Sequence, residues 1–215
     1  MAETYQLLRD AYYGDGQFKD GGALVRHARE SSENYAKRKK LAYYLNYTGP
    51  IINASVDPIF RNEIKREYTD TAKFKVFLDD ADRTGADLQN YIRRLAVMAK
   101  LYGVVYVIVN NETEIGETVQ DSLDKRALPY LAHVLPSEVT HWRFDDHGRM
   151  VEFGYQSTIK DSEDKTKTRY YTWTETAWAV ADENKQIIRQ GEHGLGRLPV
   201  VQWFGRSNDP MEALP

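Results

Sequence analysis

Between Leu88 and Val109 the hydrophobic pattern changes its period, and that change constrains the fold more than any other feature of the chain. Leu88, Tyr91, Ile92, Leu95, Ala99 and Tyr102 recur at i, i+3, i+4 and i+7, which places them on one face of a helix. Thr84 and Asp87 have capping-box spacing, with the shorter Asp in place of Glu, and predict the helix start. Gly103 is placed to end it, because glycine enters the left-handed region without a Cβ clash. Val104–Val109 then runs apolar as VVYVIV and reads as a buried strand, with Asn110-Asn111 as its turn.

Upstream, the first sixty residues read as helical. A short amphipathic helix over Thr4–Tyr13 stops at Gly14-Asp15-Gly16, and Gly21-Gly22 marks a second break. Ser31 or Ser32 serves as N-cap to a helix from Glu33 to Tyr47, interrupted by Gly49-Pro50. Ile51–Phe60 suits a buried helix, with Pro58 tolerated only near its end or at a kink. Ile64–Tyr68 is a short strand candidate, and Phe74–Leu78 an apolar segment of undetermined type.

Downstream the texture changes. Asn111–Arg126 is polar, acidic and loop-like. From Leu128 onward β-type runs alternate with turn signals: Tyr130–Leu135, Val139–Phe144, Arg149–Ile159, Arg169–Thr174, Ala177–Ala181, Gln186–Arg189 and Leu198–Trp203. Asp145–Gly148 is a hairpin turn, Asp182–Lys185 another, and Lys160–Thr168 a solvated loop. The plan is α+β: a helical N-terminal region, residues 1–111, closing on the helix-Gly-strand unit, then a β-rich, mainly antiparallel region, residues 112–215.

Composition excludes several function classes. No cysteine is present, which removes disulfides, thiolate metal sites and a cysteine nucleophile. MAETYQLLRD has no basic start followed by an apolar stretch, so no signal peptide is visible. The longest apolar run is six residues, against the roughly 20 a membrane helix needs. A net charge of −3 gives no electrostatic footprint for nucleic acid. Residues 1–100 hold 17 Lys+Arg and 14 Asp+Glu, a balance of +3; residues 101–215 hold 12 and 18, a balance of −6. Fifteen tyrosines and four tryptophans suit half-buried sheets and protein interfaces.

Every candidate site has a simpler reading. Asp80-Ala-Asp82-Arg-Thr84-Gly85 resembles the start of a calcium loop, but position twelve is Tyr91 rather than a bidentate carboxylate. It reads better as a helix N-terminus whose acids complement the dipole. None of His27, His133, His141, His147 and His193 forms a ligand pair, although His133 and His141 could approach one another on adjacent strands. The glycines of Gly191–Pro199 lead into a β-like run and not a helix, so they form a turn and not a phosphate loop. Lys37–Lys40 is a basic run on a solvated helix face, with Glu30 and Glu33 beside it. Asp79 and Asp80 are adjacent, so opposed acid and base roles cannot be assigned to them. No catalytic, cofactor-binding or metal-ligating residue is assigned.

Four segments in order carry a resemblance. Arg38–Phe60, RKKLAYYLNYTGPIINASVDPIF, resembles the N-terminal helices of tailed-bacteriophage portal proteins. Phe77–Asn111 is similar to that family's acidic lead (here Asp80, Asp82, Gly85 and Leu88), helix, terminating glycine (Gly103) and hydrophobic strand. Leu128–Gln156 resembles its β region, where a Pro-bearing turn precedes a Trp-bearing strand, and His193–Gly205 its glycine-then-Leu-Pro-Val strand. The resemblance covers roughly residues 35–205. It implies a non-enzymatic structural protein: the N-terminal wing portion of a longer chain that forms a ring, usually dodecameric, at one capsid vertex. Such a ring nucleates head assembly, docks terminase, passes DNA for packaging and ejection, and joins the tail, with capsid or scaffold and tail-adaptor proteins as further partners. It implies a virion component, phage or prophage encoded, assembled in the host bacterial cytoplasm, with no membrane and no cofactor. On this reading the chain stops near the junction of wing and stem, and the DNA-facing and terminase-facing regions lie beyond Pro215. The competing readings are a head-neck adaptor or minor capsid protein, and a hydrolase drawing acids from Asp80, Asp82 or the β-rich region.

Overall fold

A computed structural model describes residues 2–19, 21–68, 71–111, 118, 127–160 and 166–206. The polar segment expected after Asn111, the tip of the 160–168 loop and the last nine residues lie outside the described residues.

The helix-Gly-strand unit forms as its sequence dictates. Helix α5, Leu88–Tyr102, turns Leu88, Tyr91, Leu95, Ala99 and Leu101 inward. Its cap sits three residues later than the spacing predicts. Asp87, not Thr84, is the N-cap, and its carboxylate accepts from the Asn90 amide at 3.0 Å. Thr84 instead belongs to the preceding loop, where its amide and hydroxyl donate to Asp82. Gly103, at φ +89°, ends the helix, and its amide donates to the Ala99 carbonyl at 2.8 Å. Strand β1, Val104–Asn110, follows directly.

β1 is the centre of the molecule. It pairs antiparallel with β2, Tyr130–Val134, on one side and with β8, Val200–Phe204, on the other. A second, five-stranded antiparallel sheet runs in sequence order: β3 (Val139–Phe144), β4 (Met150–Lys160), β5 (Thr166–Thr174), β6 (Ala177–Ala181) and β7 (Ile187–Glu192). Alternate residues of β1 face opposite layers. Val105 and Val107 pack against Tyr91, Leu95 and Ala99 of α5, while Val104, Tyr106 and Ile108 pack against Phe153 and Trp173 of the second sheet. A strand covered on both faces has no polar side to show, which is why its sequence is continuously apolar. Burying each such side chain contributes about 1.5–3 kcal/mol relative to exposure.

Gly205 and Gly154 are among the glycines fixed by close approach. A Cβ on Gly205, just past β8, would lie 2.1 Å from the Ala99 carbonyl oxygen of α5. A Cβ on Gly154 of β4 would meet the His141 ring, which lies across from it on β3.

The N-terminal helices are α1 (Ala2–Tyr13), α2 (Ser32–Leu41) and α3 (Thr48–Val56), with α4 (Thr71–Asp79) next to α5. Polar contacts lock α1 to α3 and to the segment before it. Tyr44 donates its hydroxyl to the Ala11 carbonyl, Asn46 its amide to the Tyr12 carbonyl, and Tyr12 its hydroxyl to Asn53. These bonds cause the main departure from the sequence reading. The helix expected over Glu33–Tyr47 stops at Leu41, because Tyr44 and Asn46 are drawn down onto α1; Ala42 turns extended, and Tyr47 re-enters the helical region as the N-cap of α3. Gly49-Pro50 does not interrupt a helix but lies in the first turn of α3, where the missing proline N–H costs nothing. The segment Ile51–Phe60 is also not the buried helix expected: Val56 is buried, whereas Ile51 in α3 and Ile59 just beyond it are 66% and 64% exposed. Ile64–Tyr68 is irregular and not a strand; the Ile64 amide donates to the Gln89 side chain and not to a ladder. Phe74–Leu78, left undetermined by sequence, is helical within α4.

Candidate functional site

The acidic loop before α5 is closed by its own chain. Asp80 accepts from the Gly85 amide at 2.9 Å. Asp82 accepts from the amides of Thr84 and Ala86, from the Thr84 hydroxyl, and from Arg94 at 2.6 Å. Desolvation works to raise the Asp82 carboxyl, but these donors outweigh it and hold the group below the usual carboxylate range. Its oxygens face N–H and O–H donors, the opposite of what an oxygen-ligated cation requires. Among the described residues, no group of three or more His, Asp or Glu side chains is placed to hold a metal.

The histidines do not converge. The sequence allowed His133 and His141 to meet on adjacent strands; the structure puts them in different sheets, His133 on β2 and His141 on β3. His133 Nδ1 lies 3.4 Å from the Tyr91 hydroxyl, and its pKa is lowered, first by desolvation and then by Arg94. Burial pushes the Tyr91 phenol upward, with Asp82 adding to the shift. Arg94 stacks over the Tyr91 ring while pairing with Asp82, so the cluster ties the acidic loop to α5 and β2. His141 lies 3.3 Å from Glu152, His147 sits in the Asp145–Gly148 turn, and His193 reaches the Thr174 carbonyl.

The remaining candidates are structural as well. Gly194 and Gly196, at φ +63° and +62°, turn the chain from β7 toward β8. In the basic run, Lys37 pairs with Glu33 and Arg38 with Glu30. A shallow cleft of about 330 Å³ on β5–β7, lined by Thr172, Thr174, Trp178, Gln190 and Glu192, contains a single carboxylate and no histidine.

What stands out instead is apolar surface. From Leu41 to Tyr47 burial alternates. Ala42, Tyr44 and Asn46 are half-buried, while Leu41, Tyr43, Leu45 and Tyr47 are 81%, 79%, 58% and 64% exposed. Ile51 and Ile59 extend this apolar exposure into and beyond α3. Exposed large hydrophobes gathered in one stretch mark an interaction surface, whereas scattered ones carry no message. Sequence reading missed it, although the signal was there: Leu41, Tyr43, Leu45 and Tyr47 stand two apart.

The most distinctive surface among the described residues is therefore this exposed apolar stretch beside α3. Among the described residues no helix is long and apolar enough to cross a membrane. A comparison with curated proteins finds no matching relative. Residues 2–208, nearly the whole chain, match the family described as phage portal protein, SPP1 Gp6-like, and the chain belongs to that structural family of the phage particle.

Proposed function

We propose that this chain is the wing region of a portal protein whose full-length product assembles into a closed, dodecamer-type ring at one capsid vertex. In that role it takes part in head assembly, DNA packaging and ejection, and tail attachment. Its partners are further copies of itself, terminase, capsid or scaffold proteins and a tail adaptor, met during assembly in the host bacterial cytoplasm. The wing acts as a rigid lateral spacer and not as a catalyst. The family match over residues 2–208 carries this reading. Two features support it. The helical region (residues 1–111) and the β-rich region (residues 112–215) share one sheet, since β1 pairs with β2 and β8, so the two behave as one unit. The apolar surface of residues 41–59 faces outward, where a neighbour can cover it. Native mass spectrometry of the full-length product at micromolar concentration tests the ring: a closed oligomer is expected, and monomers alone would overturn the proposal.

A further inference from the structure

We propose that the non-helical segment Ala42–Asn46 of one copy adds as a strand to the edge of β7 in the next copy, and that this is the repeating contact of the ring. The inference rests on the ring reading above and names the surfaces that would build it.

The first half of the contact is the segment itself. Period-two burial shows an extended backbone with one apolar face outward. Among the described residues, the backbone amides of Tyr43 and Leu45 have no hydrogen-bond partner within the chain. An extended segment with free amides and an exposed Leu/Tyr face is a strand lacking a sheet, the donor in strand addition.

The second half is β7, the outermost strand of the five-stranded sheet, bonded among the described residues only to β6. Ile187 and Ile188 at its start are 61% and 46% exposed. Sheets protect such edges with prolines or outward-pointing charges. β7 has no proline, its one cation, Arg189, folds back over the Trp178 ring of β6, and its one anion, Glu192, stands at the strand's last position. Among the described residues no strand pairs with this edge.

Topology separates the two halves. The Ala42–Asn46 segment is pinned to α1 through Tyr44 and Asn46. α1 packs against the short turn Pro136–Glu138, which leads directly into β3. β3 is the opposite edge of the sheet from β7, four strand spacings or roughly 19 Å away. One copy therefore cannot satisfy its own edge. Two different, complementary surfaces at opposite ends of a subunit make a head-to-tail contact, the kind that closes into a ring. Because both halves lie on this one chain, the occupant is a second copy. Charge favours the same pairing, since residues 1–100 carry +3 and residues 101–215 carry −6.

These 215 residues contain no cysteine, and any cysteine encoded after Pro215 is first replaced by serine. Full-length product is prepared as Leu45→Cys, as Ile188→Cys and as the double variant, and treated with a short bismaleimide. The double variant should give a ladder of multimers on a denaturing gel. A mixture of the two single variants should give dimers, and each single variant alone should stay monomeric. Cross-linking of Leu45→Cys with itself would overturn the head-to-tail contact, as would absence of cross-links when native mass spectrometry shows an intact ring. Absence of a ring in the unmodified protein would instead sink the ring reading, and this inference with it. As a second arm, Leu45→Pro removes one unpartnered amide without removing any bond within the chain. It should lower the ring fraction at least tenfold with an unchanged circular dichroism spectrum; an undiminished ring would overturn strand addition.

Discussion

The α5–β1 unit and the Leu41–Ile59 region are similarly rich in Leu, Ile, Val and Tyr, yet they dispose of those residues in opposite ways. In the first, Tyr91, Leu95, Val105, Tyr106 and Ile108 are each 1% exposed or less. In the second, Leu41, Tyr43, Leu45, Tyr47, Ile51 and Ile59 are more than half exposed, and Val56 is the one large apolar side chain that is buried. Different forces hold the two in place. Dispersion and apolar burial on both faces of β1 define the first. A small set of tyrosine and asparagine hydrogen bonds to α1 carbonyls orients the second, and leaves its apolar atoms out of the core. Apolar content alone thus does not say where the core is; what decides is whether the chain supplies a second layer.

Substitutions can break that contrast. Leu95→Ala should lose about 2–5 kcal/mol in chemical denaturation, since it opens a cavity beneath two layers; an unchanged midpoint would mean the α5 core is misread. Gly205→Ala should lose about 3 kcal/mol, because its Cβ must displace the backbone at Ala99. Here the informative readout is the near-ultraviolet signal of Trp203, next to the strained site. Asp82→Asn should cost roughly 1.5 kcal/mol at neutral pH, through loss of a charged acceptor. The folded Asp82 carboxyl is depressed, so its stabilising effect is present above the unfolded value of about 3.9 and disappears as pH falls below it. Denaturation curves of the variant and the parent should therefore converge in acid. At the bottom of the scale, Leu45→Ala should change the stability of the isolated chain by less than about 0.5 kcal/mol, despite removing as many carbons as Leu95→Ala. A loss above about 1 kcal/mol in a thermal melt would show that this surface is covered within the chain.

The same contrast explains what could be read in advance. Helix α5, its glycine stop and the strands after Leu128 were legible because their signals are local: a 3.6-residue period, a left-handed glycine, and Asp-led turns such as Asp145 and Asp182. The end of α2 was not. Leu41-Ala-Tyr-Tyr-Leu-Asn-Tyr47 fits spacing by four as well as by two, and the hydrogen bonds that decide between them come from α1, some thirty residues earlier. The α5 cap slipped because Asp82, Thr84 and Asp87 are all competent, and Arg94 recruits the first of them from a turn away. Leu101 lies off the predicted stripe yet is buried, because α1, α3 and α4 all pack on α5. Partition of strands between two sheets, which separates His133 from His141, has no local signature. The exposed apolar surface was hidden for a related reason: its residues looked like core.

The central position of β1 also sets a schedule. Val104 pairs with Phe204, 100 residues further along the chain. A ribosome adding about 5–20 residues per second takes roughly 5–20 s to supply that partner. During this interval the most apolar run in the sequence has α5 on one face and an unfinished sheet on its edge. The layered core is thus completed only once β8 has been made, so any early encounter between nascent copies happens while β1 is still an open edge.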